Sequence, residues 1–230
     1  MAMPDKSADI GSAIARIHDG ASVMLGGFGV PGTPFCLIEE LVRQGPKNLT
    51  IIKNDANEMG MGVDWLLENG QVSKLVASHI GLNARAIAMM NDGALSVEFV
   101  AQGILAERIR IAGAGLLGFV TDIGRGTPLA EGKEQISING VTGILEPALK
   151  ADFALVHAET ADTFGNLFYA AAARNFNPLM AMAAHCTIAE AETVVDQGQI
   201  KPENVHTPGP FVDQLVALKQ LPEVYGVVRR

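Results

Sequence analysis

Between Ser22 and Pro34 the chain reads Ser-Val-Met-Leu-Gly-Gly-Phe-Gly-Val-Pro-Gly-Thr-Pro. A short, almost wholly apolar run ends in a glycine-rich turn, and the turn leads into a helix signal. Thr33 is placed as N-cap and Pro34 as the first helical residue. Short continuous apolar runs of this kind are what strands buried on both faces look like, and such strands belong to parallel sheets covered by helices.

The same pattern recurs along the chain. A helix is predicted over about 7–18, where Ile10, Ala13, Ile14 and Ile17 share one face. Strands follow at 22–25, 49–52, 75–77, 96–100 and 153–156. Helices are expected from about 34 to 44, then at 63–67, 85–90 and 104–111. Residues 113–150 read as glycine-rich and irregular, with a hairpin-like stretch at 136–140, and 188–195 fits strand or helix. No repeat, low-complexity stretch or linker interrupts the alternation. The expected fold is α/β: a single domain over residues 1–230 with a mostly parallel central sheet covered by helices. Ligands in such sheets bind at the C-terminal ends of the strands. Three polar strand ends stand out there: Gly26–Gly32, Asn54-Asp55 and Gln102-Gly103.

Composition narrows the class. With 230 residues, 48% of them hydrophobic, the chain has ample material for a core and too much for a disordered protein. Its net charge of −8 argues against nucleic acid or an anionic membrane as partner. The longest apolar run, Ile111–Val120, is too short to span a bilayer, and Met1–Lys6 has no signal-peptide core. Cys36 and Cys186 are the only cysteines, so neither a disulfide framework nor a cysteine metal site is expected. The five histidines lack metal-ligand spacing. A cytoplasmic location is expected.

Gly27-Phe-Gly-Val-Pro-Gly32 is a literal G-x-G-x-x-G between strand and helix, with Asp55 at the end of the next strand. At face value that is a dinucleotide fingerprint, which would make the chain an NAD-dependent oxidoreductase. Pro31 removes one N–H from the cradle, a helix precedes the first strand, and Pro34 delays the next helix beyond the third glycine. A plain tight turn using glycine for positive φ is the other local reading.

Asp19–Pro34 resembles the signature of the α subunits of family I coenzyme A transferases: Asp-Gly, three apolar residues, Gly-Gly-Phe, a later Gly and Pro. Further segments resemble the family in the same order. They are Asn54-Asp55, Ala77–Gly81, Ala101–Arg110, Gly113–Gly115, Glu131–Lys133, Ala151–Leu155, Asp162–Asn166, Ala173–Asn177 and Thr207–Gly209. The resemblance covers about 7–218, is nearest to acetate/acetoacetate-type α subunits, and leaves 219–230 as an unmatched tail.

The resemblance implies ping-pong transfer of CoA from an acyl-CoA to a short-chain fatty acid or 3-oxoacid. It implies a partner β subunit that carries the glutamate nucleophile, in a hetero-oligomer such as α2β2. CoA and acyl-CoA would be substrates, with no tightly bound cofactor and no metal. By the same resemblance Gln102 donates to the oxyanion, and Gly26, Gly27, Phe28, Gly29, Val30, Pro31 and Gly32 form the CoA-binding loop. Asn54, His79 and Gly103 are expected to line the substrate. Glu68-Asn-Gly70 mimics the nucleophile context of the β subunit but is expected to be an exposed helix end. Arg108 and Arg110 are candidates for CoA phosphates, with a solvated helix face as the simpler reading. Departures from the family pattern occur at Thr121–Thr127, Arg85 and Ala172.

Overall fold

The computed structural model describes residues 4–227. Residues 1–3, the start of the Met1–Lys6 segment, and 228–230, the end of the 219–230 tail, lie outside it. In chain order the elements are α1 (Ile10–Ile14), β1 (Ser22–Leu25), α2 (Phe35–Gln44), β2 (Leu49–Ile52), α3 (Val63–Glu68), β3 (Val72–Ala77), α4 (Ala84–Asn91), β4 (Ser96–Phe99) and α5 (Gln102–Gly113). Then come β5 (Gly118–Thr121), β6 (Gln135–Ile138), β7 (Val141–Pro147), β8 (Ala151–Asp162), β9 (Leu167–Phe168), α6 (Asn177–Ala183), β10 (Ala184–Val195) and β11 (Gln214–Ala217).

The large sheet has the order β11-β10-β8-β1-β2-β3-β4, with every neighbouring pair parallel; β9 adds antiparallel to β8. From central β1 the chain first builds one wing (β2, β3, β4), then the other (β8, β10, β11). The switch point is therefore between β1 and β8, where Gly26–Gly32 leaves the sheet.

Alternation along β1 divides the core. Val23 and Leu25 face the layer containing Ile14, Leu37, Leu41, Leu66 and Ala86 of α1–α4. Met24, between them, faces Leu105 and Ile109 of α5 and Met180 of α6. Period-2 side-chain direction thus gives the sheet two apolar faces, each covered by helices.

The expected α/β fold is the observed one, with local corrections. The first helix is shorter than 7–18 because Asp9 caps it: its Oδ2 accepts from the Ser12 amide at 2.8 Å. Upstream, Ser7 pairs with Leu215 and Ala8 N–H donates to Leu215 O, so that segment is extended chain beside β11. Residues 113–150, read as irregular, contain an antiparallel sheet of order β5-β7-β6. Its β6–β7 hairpin turns on Asn139-Gly140, both at positive φ (51° and 80°), the conformation a two-residue turn requires. The ambiguous 188–195 segment is strand β10, and α6 and β11 are not predicted by the sequence pattern.

Thr33 does not cap α2. Its Oγ1 donates to Gly29 O at 2.6 Å, inside the glycine loop, and Pro34 stands at the cap position. The carboxylate that meets the start of α2 comes from β10, where Glu190 Oε2 accepts from Leu37 N–H at 2.8 Å. Glu190 is fully buried. A negative charge at a helix N-terminus is favourably placed against the helix dipole.

Candidate functional site

The glycine loop is built by close backbone approaches. A Cβ on Gly26 would stand 1.9 Å from Asn177 Oδ1, and one on Gly27 would stand 2.6 Å from Thr33 N. Gly27 also has φ +98°, open to glycine alone at little cost. Phe28 N–H donates to Pro31 O, closing the turn. Val30 O accepts from Thr33 N–H. Asn175 and Asn177 clamp the loop from outside: their Nδ2 groups donate to Pro31 O (2.9 Å) and Gly32 O (3.0 Å). The Ala173–Asn177 motif is thus the brace of the loop. The Phe28 ring is left half exposed at its tip.

Asp55 joins this loop to the next strand. Its Oδ2 accepts from Gly29 N–H at 2.8 Å and from Asn54 Nδ2 at 3.1 Å, while Oδ1 accepts from Asn57 N–H at 2.8 Å. Asn57 Nδ2 returns to Gly29 O at 2.9 Å. Burial pushes the Asp55 carboxyl up, but the Lys53 charge and these three donors outweigh it and hold it below the usual carboxylate range.

That arrangement decides against the dinucleotide alternative. The Gly29 amide that a pyrophosphate would need is already held by a side-chain carboxylate of this chain. The helix begins at Phe35, three residues beyond Gly32, so its N-terminus is displaced from the loop glycines. Asp55 points back at the loop, where the fingerprint would have it reach a ribose.

Asn54 and Gln102 meet across the ends of β2 and β4. Gln102 Nε2 donates to Asn54 Oδ1 at 2.9 Å. Asn54 is fully buried, and Ser78 Oγ lies 3.0 Å from the same Oδ1. The sequence pattern puts Gln102 at a strand end; in the structure it is the first residue of α5, with Ala101 at the cap. Its carboxamide therefore stands beside the partial positive charge of a helix N-terminus. Gly103 follows in the same turn, with nothing within 4 Å of where a Cβ would be.

Phe28 divides two depressions. One, of about 250 Å³, is bordered by Phe28, Gln102, Gly103, Asn175, Phe176 and Leu179. The other, of about 90 Å³, lies toward β3 and includes Asp55, His79 and Leu82. His79 is half-buried, with Nδ1 at 3.1 Å from Ser78 Oγ. The structure thus gathers Gly26–Gly32, Asn54, His79, Gln102 and Gly103 at the C-terminal edge of β1–β4. Lys53, Asn57 and Ser78 were not singled out in the sequence. Lys53 had a signal: a charge directly after the buried run Leu49–Ile52.

Other candidates fall away from this edge. Glu68 ends α3, is exposed, and pairs with Arg85 Nη2 at 2.9 Å. Arg85 also holds buried Asp64 at 3.0 Å, so the departure at that position is a clamp between α3 and α4. Arg108 is not on a solvated face. It is buried, donating to Pro147 O at 2.9 Å and Glu98 Oε1 at 3.0 Å. Arg110 is exposed and paired with Glu107. Among the described residues no group of three or more His, Cys, Asp or Glu is placed to hold a metal, and no helix is long and apolar enough to cross a membrane.

Fold and site together define an α/β protein that presents a braced glycine loop at the switch point of a parallel sheet. The chain belongs to the coenzyme A transferase family, whose sequence profile matches residues 8–218. It is 48% identical over 217 residues to the alpha subunit of a probable coenzyme A transferase from Bacillus subtilis, covering 94% of this chain and 95% of that one. To the alpha subunit of acetate CoA-transferase from Escherichia coli it is 42% identical over 218 residues, covering 95% and 99%. The thioester complex of an acyl-CoA transferase from Escherichia coli O157:H7 with CoA aligns at TM-score 0.84 and 21% identity, over 98% of this chain and 50% of that one. That likeness concerns the fold, and this chain spans half the length of that protein.

Proposed function

We propose that this chain is the α subunit of a transferase that moves CoA from an acyl-CoA to a short-chain fatty acid or 3-oxoacid, of the acetate/acetoacetate/butyrate type. Residues 1–230 act as one domain; 219–230 lie beyond the family match, and Tyr225 among them is buried against Phe35 with its hydroxyl donating to Thr33 O. A separate β subunit supplies the glutamate nucleophile, and the two chains assemble as a cytoplasmic hetero-oligomer such as α2β2. The observation that carries this reading is the Gln102–Asn54 hydrogen bond beside Phe28 of the glycine loop.

The chemistry needs such a donor. A carboxylate attacks the thioester carbonyl; the carbonyl oxygen gains negative charge, thiolate leaves, and an acyl-anhydride forms. The thiolate then attacks the glutamyl carbonyl of the anhydride, breaking its C–O bond to give a glutamyl-CoA thioester and release the donor acid as a carboxylate, and the acceptor acid reverses the steps. Covalent catalysis divides the exchange into easier parts. Each tetrahedral stage places charge on an oxygen, and a preorganised neutral donor is worth about 3 kcal/mol there. Gln102 Nε2 is that donor, because Asn54 Oδ1 holds one of its protons and thereby fixes the direction of the other. Phe28 packs on the pantetheine or acyl part, His79 and Gly103 line the site, and Asn54 orients the acceptor carboxylate. CoA enters and leaves as substrate, so no tightly bound cofactor and no metal is required.

The test is reconstitution. Assayed with acetyl-CoA and acetoacetate, the chain alone should be inactive, and its mixture with the β subunit should turn over. Full activity of this chain alone would overturn the reading.

A further inference from the structure

Lys53 is fully buried at the end of β2, and the proposed chemistry gives it no task. Its Nζ stands 3.5 Å from both carboxylate oxygens of Asp55. A lysine charge taken out of water is costly unless it is paired. Burial lowers the Lys53 ammonium from its ordinary value, and the Asp55 charge opposes that shift. The lysine therefore stands behind Asp55 as its counter-charge.

Asp55 in turn touches both halves of the site. One oxygen, Oδ2, holds the Gly29 amide of the loop and the Nδ2 group of Asn54. The opposite end of the Asn54 side chain holds Gln102. A single carboxylate therefore sets the position of the loop relative to the carboxamide donor, through one hydrogen bond to the loop and two in series, by way of Asn54, to Gln102. Asn cannot replace it unaided, because three donors and an ammonium converge on two oxygens and an amide has only one acceptor atom.

We propose that Asp55 is the positioning residue that fixes the glycine loop and Gln102 relative to one another, with Lys53 as the buried counter-charge that keeps it in place. This rests on the proposed role of Gln102. Neither residue touches the reacting atoms; both act through Gly29 and Asn54.

The test uses the reconstituted complex with acetyl-CoA and acetoacetate. Asp55→Asn should raise KM for acetyl-CoA through the loop and lower kcat through Gln102, each by about tenfold, as expected for losing a charge-assisted hydrogen bond. Its effect on kcat should shrink in a Gln102→Ala background, because the two substitutions remove parts of one unit. Lys53→Met leaves a carboxylate buried without its counter-charge, so it should lower the melting temperature more than the double variant Lys53→Met/Asp55→Asn does. The double variant should recover stability but not kcat/KM, because Gly29 and Asn54 still lack their acceptor. Recovery of both would make the pair a structural ion pair only and overturn the proposal. So would an Asp55→Asn enzyme with wild-type kcat and KM while Gln102→Ala remains impaired. An unimpaired Gln102→Ala enzyme would instead overturn the oxyanion role on which the proposal rests.

Discussion

Gln102 Nε2 and Asn54 Oδ1 lie 2.9 Å apart, joining the first residue of α5 to the residues that follow β2. The bond restrains the exposed carboxamide of Gln102 before any substrate arrives. Preorganisation of this kind is what makes a neutral donor effective toward a developing oxyanion. In the complex with the β subunit, Gln102→Ala should lower kcat by roughly 10²-fold, with a much smaller change in KM. Gln102→Glu, which keeps the shape but replaces the donor by a carboxylate, should be at least as impaired. Steady-state kinetics decide the matter, and an unchanged kcat in the alanine variant removes Gln102 from the chemistry.

The glycines of the loop should differ in tolerance. Gly27→Ala places a Cβ against the backbone of Thr33 and demands φ +98°. It should cost about 3 kcal/mol of stability, combining overpacking with backbone strain. Gly29 has open space around it and φ +59°, within the left-handed region. Gly29→Ala should cost only about 1 kcal/mol. Thermal melts of the two variants check the ranking; equal losses would mean that the loop is not packed as described.

Stability should fall on the alkaline side for a specific reason. Burial pulls the His157 imidazole down, but hydrogen bonds from its ring to Glu190 and Glu192 outweigh this and raise it to about 9. A folded value above the unfolded value of about 6.5 stabilises fully below pH 6.5, and the contribution is lost as pH rises through 9. The amount is on the order of 3 kcal/mol. The melting temperature of the wild type should therefore drop between about pH 6.5 and 9.5 more steeply than that of His157→Gln. Parallel curves would show that the imidazolium is not stabilised in the fold.

Thiol reactivity offers a further check. Burial, with Glu190 and Glu39 nearby, pushes the Cys36 thiol up to about 12, and burial raises Cys186 as well. Because thiolate is the reactive form, the native chain at about pH 8 should show no rapid labelling by an aromatic disulfide reagent. Both cysteines should react promptly in denaturant. A fast-reacting native thiol would contradict the packing of the α2–β10 contact.

Much of this was legible in the sequence, and the rest has physical reasons. The parallel strands around Val23, Ile51 and Leu75 announced themselves because burial on both faces demands continuous apolar residues. The loop announced itself because Gly26 and Gly27 allow no side chain. Long-range partners left no local trace. That Glu190 meets the start of α2 depends on a contact 153 residues away that no periodicity encodes. The extended Ser7 segment was hidden for a similar reason: the helical spacing begins at Ile10, behind the Asp9 cap, and the preceding backbone pairs with Leu215 of β11, far along the chain. Asp55 is the sharpest case. Its spacing from the glycine motif suggested a ligand contact, whereas its side chain turns back to the loop itself.

The most direct test of the account concerns where the covalent intermediate forms. The complex of this chain with the β subunit is incubated with acetyl-CoA without acceptor and quenched. Both polypeptides are then digested and searched by mass spectrometry for a CoA thioester. The adduct is expected on a glutamate of the β subunit and not on this chain. A CoA adduct on this chain, on Glu68 or any other carboxylate, would contradict it.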